Sequence, residues 1–356
     1  MRINEIDSNF VQQRADDNTV WVDVKSSPFK IYGVFYDDIN KEFTRVPHNI
    51  AKTINKGVEA LAKNTAGGRV KFRTNSTSIS LKTIFPNDGI MTHMPLTGSN
   101  GFSIYVNDKF YGKVSPEWDI FKTNDKKISF TAKVYLHSKG DINDIKIYFP
   151  LYGGVNELYI GLDNNCIIEQ ADSYKNDNLV VYYGSSITQG GCASHPGNEY
   201  QGHIERWLNV DYINLGFAGS GLGEIIMADY ITSLNPTVVV MDYDYNAPDV
   251  EYLEKTHYPF YRRIRDTLPN TPIIFISKPD YRQNAKQNFS RREVVKKTYL
   301  ESINEGDKLT AFIDGEILFG TEDYDACTVD GCHPNDLGFY RMAKNICPYI
   351  KEFIKK

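Results

Sequence analysis

Cysteine is scarce in this chain: there are five in 356 residues, an odd number, with no C-x-x-C pair among them. That count excludes a scaffold built on disulfides, and the missing pairs argue against a structural zinc site. All five are expected as thiols. An excess of basic residues is missing as well. Lys and Arg number 40 against 45 Asp and Glu, a formal net charge of −5. A general nucleic-acid binder would need a basic face that this balance does not supply. No uninterrupted apolar run approaches the roughly 20 residues of a membrane helix, so no membrane partner is expected. The opening MRINEIDSNF lacks the apolar centre of a secretory signal. The expectation is a cytoplasmic protein, or a secreted one whose leader has been removed.

What is present is the composition of a globular protein, with 41% hydrophobic and 24% charged residues. At roughly 100–200 residues per domain the length predicts two domains. The texture changes near residue 175. Upstream, apolar residues alternate with polar ones at Val70 and Phe72, Ile79 and Leu81, Phe102 to Val106, Ile145 to Phe149, and Leu158 to Leu162. Period two predicts half-buried antiparallel strands, and Asn107-Asp108 reads as a hairpin turn. Ile54, Val58 and Leu61 share one face of a helical stretch. Residues 1–172 are therefore expected to form an all-β sandwich of jelly-roll type.

Downstream the order becomes strand, loop, helix. Short apolar runs at Leu179–Tyr183, Tyr212–Asn214, Thr237–Met241, Pro272–Ile276 and Ala311–Ile313 suit parallel strands covered on both faces. Helical periods separate them, and the last helix carries Phe339, Ala343, Ile346, Ile350 and Phe353 on one stripe. Residues 173–356 are expected to form a doubly wound parallel α/β sheet, joined to the sandwich through the polar segment Ala171–Asn178.

In such a sheet ligands gather at the carboxyl ends of the strands. Gly184-Ser185-Ser186 follows the first run, where a serine either presents its hydroxyl to a site or simply caps the next helix. The glycine-rich Gly216–Gly223 follows the second. It either frees backbone N–H groups for a ligand or makes a plain turn, and a dinucleotide loop is disfavoured because no G-x-G-x-x-G fits. Asn246 follows the third run, as an amide donor or as a helix cap before Pro248. Asp330 and His333, three apart before the last helix, allow a carboxylate to orient an imidazole and leave its other nitrogen free as a base.

Taken together, these segments resemble the four blocks of the SGNH (GDSL-type) hydrolase superfamily, over roughly residues 178–356. Ser186 matches the block I serine in G-S-S-I-T, with Ser185 where aspartate is usual. Gly219 matches block II in N-L-G-F-A-G-S, Asn246 matches block III in D-Y-D-Y-N, and Asp330 and His333 match D-x-x-H in D-G-C-H-P-N. The segments Asn64–Gly68 and Pro150–Val155 resemble the β-sandwich domain that precedes some SGNH esterases, including carbohydrate O-acetyl esterases.

The resemblance implies a flavodoxin-like catalytic sheet and acyl-ester hydrolysis through an acyl-enzyme on Ser186. His333 is then the base and Asp330 its orienter. The oxyanion is expected at the Ser186 and Gly219 N–H groups and the Asn246 amide. Neither a metal nor an organic cofactor is needed. The expected partner is a small-molecule or oligosaccharide ester, with acetyl the expected acyl group. An acyltransferase using the same acyl-enzyme is the alternative, and a purely carbohydrate-binding role is a third reading that the full Ser/Asp/His set opposes. His195, Tyr245 and His93 are secondary candidates for substrate contact. Tyr243 is expected to pack, and His48, His137, His203 and His257 to be structural.

Overall fold

The computed structural model describes residues 18–88, 90–137, 140–279 and 285–354. The opening decapeptide lies outside them. Twelve strands precede residue 170: β1 (Thr19–Asp23), β2 (Lys30–Tyr32), β3 (Phe35–Asp37), β4 (Glu42–Thr44), β5 (Arg69–Thr74), β6 (Ser78–Pro86), β7 (Phe102–Val106), β8 (Lys109–Val114), β9 (Lys127–Tyr135), β10 (Asn143–Tyr148), β11 (Glu157–Asp163) and β12 (Ile168–Glu169). They form two antiparallel sheets, β1-β11-β6-β9 and β12-β5-β10-β7-β8 with β2 on β5, and a separate β3-β4 hairpin. The alternation decides which side chains meet between the sheets. Val70, Phe72, Ile104 and Ile147 of one sheet face Ile79, Leu81, Ile160 and Leu162 of the other, all buried in one core. Asn107 and Asp108 both take positive φ, as a tight hairpin between β7 and β8 requires.

The expected single helix around Ile54 to Leu61 is in fact two, His48–Ile54 and Lys56–Leu61. Asn55 breaks it with extended backbone, and its side chain accepts the Val58 N–H at 2.8 Å to cap the second helix.

Five parallel strands follow: β13 (Leu179–Gly184), β14 (Asp211–Gly216), β15 (Val238–Asp242), β16 (Ile273–Ile276) and β17 (Thr310–Ile313). Their order is β14-β13-β15-β16-β17, the 2-1-3-4-5 arrangement of flavodoxin-like sheets, with its switch point at β13. Successive residues of β13 point to opposite faces. Val180 and Tyr182 enter one core with the last helix, Asp336–Ile354. Val181 and Tyr183 enter another with the helices Ile225–Ser233 and Val250–Thr267.

The N-terminal half contributes to both of these cores. Ala66, Met94 and Leu151 complete the first, and Val46, Ala51, Val58 and Ala62 complete the second. Arg45, almost fully buried, ties the halves together. It donates to the carbonyls of Leu61 and Asn64 on its own side and of Asn214 and Gly216 at the end of β14.

Candidate active site

The site gathers where β13, β14 and β15 end. β13 closes on Gly184, where a Cβ would fall 1.9 Å from Thr188 Oγ1 and 2.4 Å from the Asp242 carbonyl oxygen. Only glycine permits that approach, and the chain turns directly into the short helix Ser186–Gln189. Ser185, in the place of the usual aspartate, caps this helix by accepting the Ile187 N–H at 3.2 Å. Ser186 is half-buried at the first helical position, and no described residue accepts its N–H.

His333 reaches Ser186 from the loop between Thr328 and Pro334, which pair as an isolated antiparallel bridge. Asp330 Oδ1 accepts the backbone N–H groups of Cys332 (2.9 Å) and His333 (2.8 Å), and Oδ2 lies 2.7 Å from His333 Nδ1. Partial burial alone would raise the Asp330 carboxyl, but these bonds and the imidazole outweigh it and hold the group at about 2. An ionised Asp330 keeps the proton on Nδ1. Nε2 is then an acceptor, and the Ser186 hydroxyl lies 2.9 Å from it.

Gly219 sits in the loop after β14 with φ +63°, and a Cβ there would point into open space. Its N–H also has no acceptor among the described residues. The Asn246 side chain donates one amide hydrogen to the Phe217 carbonyl at 2.8 Å, which docks the end of β15 on the Gly219 loop. The structure therefore brings Ser186, Gly219, Asn246, Asp330 and His333 to one edge of the sheet.

The sandwich borders this edge. The His93 ring lies 5.6 Å from the His333 ring, centroid to centroid. Tyr152, which sequence reasoning gave no role, donates its hydroxyl to the Ser186 carbonyl at 3.2 Å. Gln189 was also missed. Its amide nitrogen donates to Asn64 Oδ1 (3.0 Å) and the Leu151 carbonyl (3.2 Å), while its oxygen accepts the Ala218 N–H (3.1 Å) beside Gly219. Both missed contacts come from the two sandwich segments noted for their resemblance, which was the available signal.

The remaining candidates part ways. The Tyr245 ring lies under the Lys278 ammonium at 4.0 Å. Burial, with Cys332 and its thiol close by, raises the Tyr245 hydroxyl, so this side chain stands beside the D-x-x-H loop. His195 lies elsewhere. It stacks on Phe110 of the sandwich at 4.1 Å, and burial lowers its pKa. It is a contact between the two halves of the chain. Tyr243 is buried and stacks on His257. All five cysteines are thiols, and burial with Asp330 and Cys332 nearby pushes Cys192 up to about 12.

Comparison with known proteins places both halves of the chain. The model of the GDSL-like lipase/acylhydrolase family matches residues 177–351, and the model of the N-terminus of SGNH hydro-type esterases matches residues 19–168. No curated protein matches the chain in sequence. A solved protein of Bacteroides ovatus described as a GDSL-like lipase is 26% identical, covering 95% of this chain and 98% of its own, with a TM-score of 0.84. The salicylyl-acyltransferase SsfX3 of a tetracycline biosynthetic pathway is similar in fold at 18% identity and a TM-score of 0.77, covering 95% and 98%. A family two carbohydrate esterase from Clostridium thermocellum is similar in fold at 13% identity and a TM-score of 0.64, covering 93% and 99%. With both halves matched in sequence and a serine, histidine and aspartate linked by hydrogen bonds, residues 177–351 belong to the GDSL-like lipase/acylhydrolase (SGNH) family and residues 19–168 to the N-terminal domain of SGNH-type esterases.

Proposed function

We propose that the protein is a serine esterase that removes short acyl groups, acetyl above all, from a carbohydrate. The observation that carries this reading is the continuous Ser186–His333–Asp330 chain of hydrogen bonds at 2.9 and 2.7 Å. In the proposed reaction His333 Nε2 takes the hydroxyl proton as Ser186 Oγ attacks the ester carbonyl, and Asp330 stabilises the imidazolium. The Ser186 and Gly219 N–H groups and the free amide hydrogen of Asn246 would receive the oxyanion. The alcohol then leaves with the proton from His333, and water repeats the sequence on the acyl-enzyme. His93 and Tyr245 flank this centre as substrate contacts.

Two observations favour a sugar over a fatty chain. The site is bordered by amphipathic rings at His93, Tyr152 and Tyr245, which suit hydroxyl-rich ligands with apolar faces. Structural relatives also include a family two carbohydrate esterase in complex with a cello-oligosaccharide and an acetyl xylan esterase from Butyrivibrio proteoclasticus. The second reading, transfer of the acyl group to another alcohol, is favoured by the likeness to the salicylyl-acyltransferase.

The test combines a chain-length series of p-nitrophenyl esters with acetylated oligosaccharides, in water and without an acceptor. Acetyl should be preferred, and the sugar esters should show the higher kcat/KM. A preference for octanoyl esters would overturn the reading, and so would acyl release only when an acceptor is supplied. A serine-directed fluorophosphonate should label the wild type and not Ser186→Ala.

A further inference from the structure

Beside the Ser186 turn the sandwich forms a half-open cavity of about 480 Å³. Its walls run into the site without belonging to it. Tyr152 lines the cavity and donates to the Ser186 carbonyl at 3.2 Å. Met91 lines it two residues before His93, whose ring faces His333. Asn64 lines it and holds Gln189, which in turn accepts the Ala218 N–H. The volume lies within the range of small-ligand pockets, roughly 300–1,000 Å³.

The chemistry of the walls is selective. Asn100 is only 7% exposed, and its side-chain amide makes no hydrogen bond to any described residue. Asn64 is 8% exposed, and its amide nitrogen donates to none, although its oxygen accepts from Gln189. Both amides therefore have hydrogen-bonding capacity to offer whatever fills the cavity. Glu42 and Lys63, 3.9 Å apart, add an acceptor and a donor at the same wall. Leu61, Pro86 and the Tyr152 ring supply apolar surface. An acyl chain in this space would desolvate the amides and the carboxylate and offer them no hydrogen bond in return. A pyranose would satisfy them, with hydroxyls on the amides and the carboxylate and its C–H face on Leu61 and Tyr152.

We infer that this cavity is a saccharide subsite, which receives the sugar unit next to the esterified one on the alcohol side of Ser186. The inference rests on the carbohydrate-ester reading and adds to it a binding site carried wholly by the sandwich.

The experiment uses the full chain in two arms. In the first, xylotriose and cellotriose are titrated by calorimetry into Ser186→Ala, alone and combined with Leu61→Trp, which fills the cavity, or Lys63→Ala, which alters only an exposed side chain. Binding of at least one trisaccharide is expected, weakened at least fivefold by Lys63→Ala and at least tenfold by Leu61→Trp. In the second arm, kcat/KM for an acetylated trisaccharide is divided by that for p-nitrophenyl acetate. That ratio should fall at least tenfold in Leu61→Trp with Ser186 present.

Absence of trisaccharide binding, or binding that both variants leave within twofold, overturns the subsite. Hydrolysis of acetylated trisaccharides with an unchanged ratio in Leu61→Trp also overturns it, while leaving the esterase reading intact. Binding that the variants abolish, in a protein that cleaves no acetylated sugar, upholds the subsite and overturns the esterase reading instead.

Discussion

Asp330 engages both of its oxygens on the segment it orients: one accepts two backbone N–H groups, and the other faces the imidazole. A carboxyl held at about 2 stays ionised throughout the working range of an esterase. Asp330 should therefore contribute no acid limb of its own to the activity profile. The check is a profile of kcat/KM against pH from about 4 to about 9, covering the histidine range. A two-proton acid limb would contradict it. Asn246 supplies an amide hydrogen that its bond to Phe217 leaves free. Asn246→Ala should lower kcat about a hundredfold to a thousandfold with little change in KM, the signature of a donor used in the transition state. A loss that appears in KM alone would deny it that role.

The elements around Ser186 are locked by a second carboxyl. Asp242, at the end of β15, accepts the Ser185 N–H through its carbonyl (3.2 Å), and Thr188 Oγ1 (3.0 Å) and the Tyr200 hydroxyl (3.1 Å) through its side chain. Burial, with Asp244 nearby, pushes the side chain up to about 8. The folded protein thus keeps a proton that the unfolded chain releases in the ordinary carboxylate range. The stability Asp242 confers is complete below that range and drains away as the pH rises through about 8. Asp242→Asn cannot ionise, so its urea-unfolding stability should decline less than that of the wild type between about pH 5 and about pH 9. Parallel profiles would show that Asp242 is not the group responsible. The short-range signals around these elements were readable in advance. Asn107-Asp108 made its hairpin because two residues at positive φ are a local matter. Asn55 went unread as a break because its cap competes with an otherwise continuous apolar face.

At the scale of the molecule, the two halves share cores and buried charges. Lys146 of β10 meets Glu205 of the helix Tyr200–Leu208 at 2.6 Å, both deeply buried. Burial would raise Glu205, but Lys146 and Arg69 outweigh it and hold it at about 2. Its contribution to stability is present above the ordinary glutamate range and is lost as pH falls toward about 2. Lys146→Ala removes the ammonium paired with a buried carboxylate and should cost about 3–5 kcal/mol. Because Ala66, Met94 and Leu151 lie in the core of the parallel sheet, urea should unfold wild type and variant in one transition, monitored by both near-UV and far-UV circular dichroism. A separate transition for the sandwich would contradict the shared core.

The sequence by itself determined the two sheet types, because alternation and short continuous apolar runs are properties of neighbouring residues. It also determined the strand ends that carry Ser186, Gly219, Asn246, Asp330 and His333, because a doubly wound sheet presents its loops at one edge whatever its other details. Only the tertiary structure decided the rest. His93 faces His333 while His195 stacks on Phe110, although both are loop histidines with proline nearby. Their fates depend on how the sandwich docks. That docking is set by Arg45, Gln189 and the Lys146–Glu205 pair, whose partners are distant in sequence and leave no period or spacing to read. The bond from Tyr152 to the Ser186 carbonyl arises in the same way, from one half of the chain closing on the other.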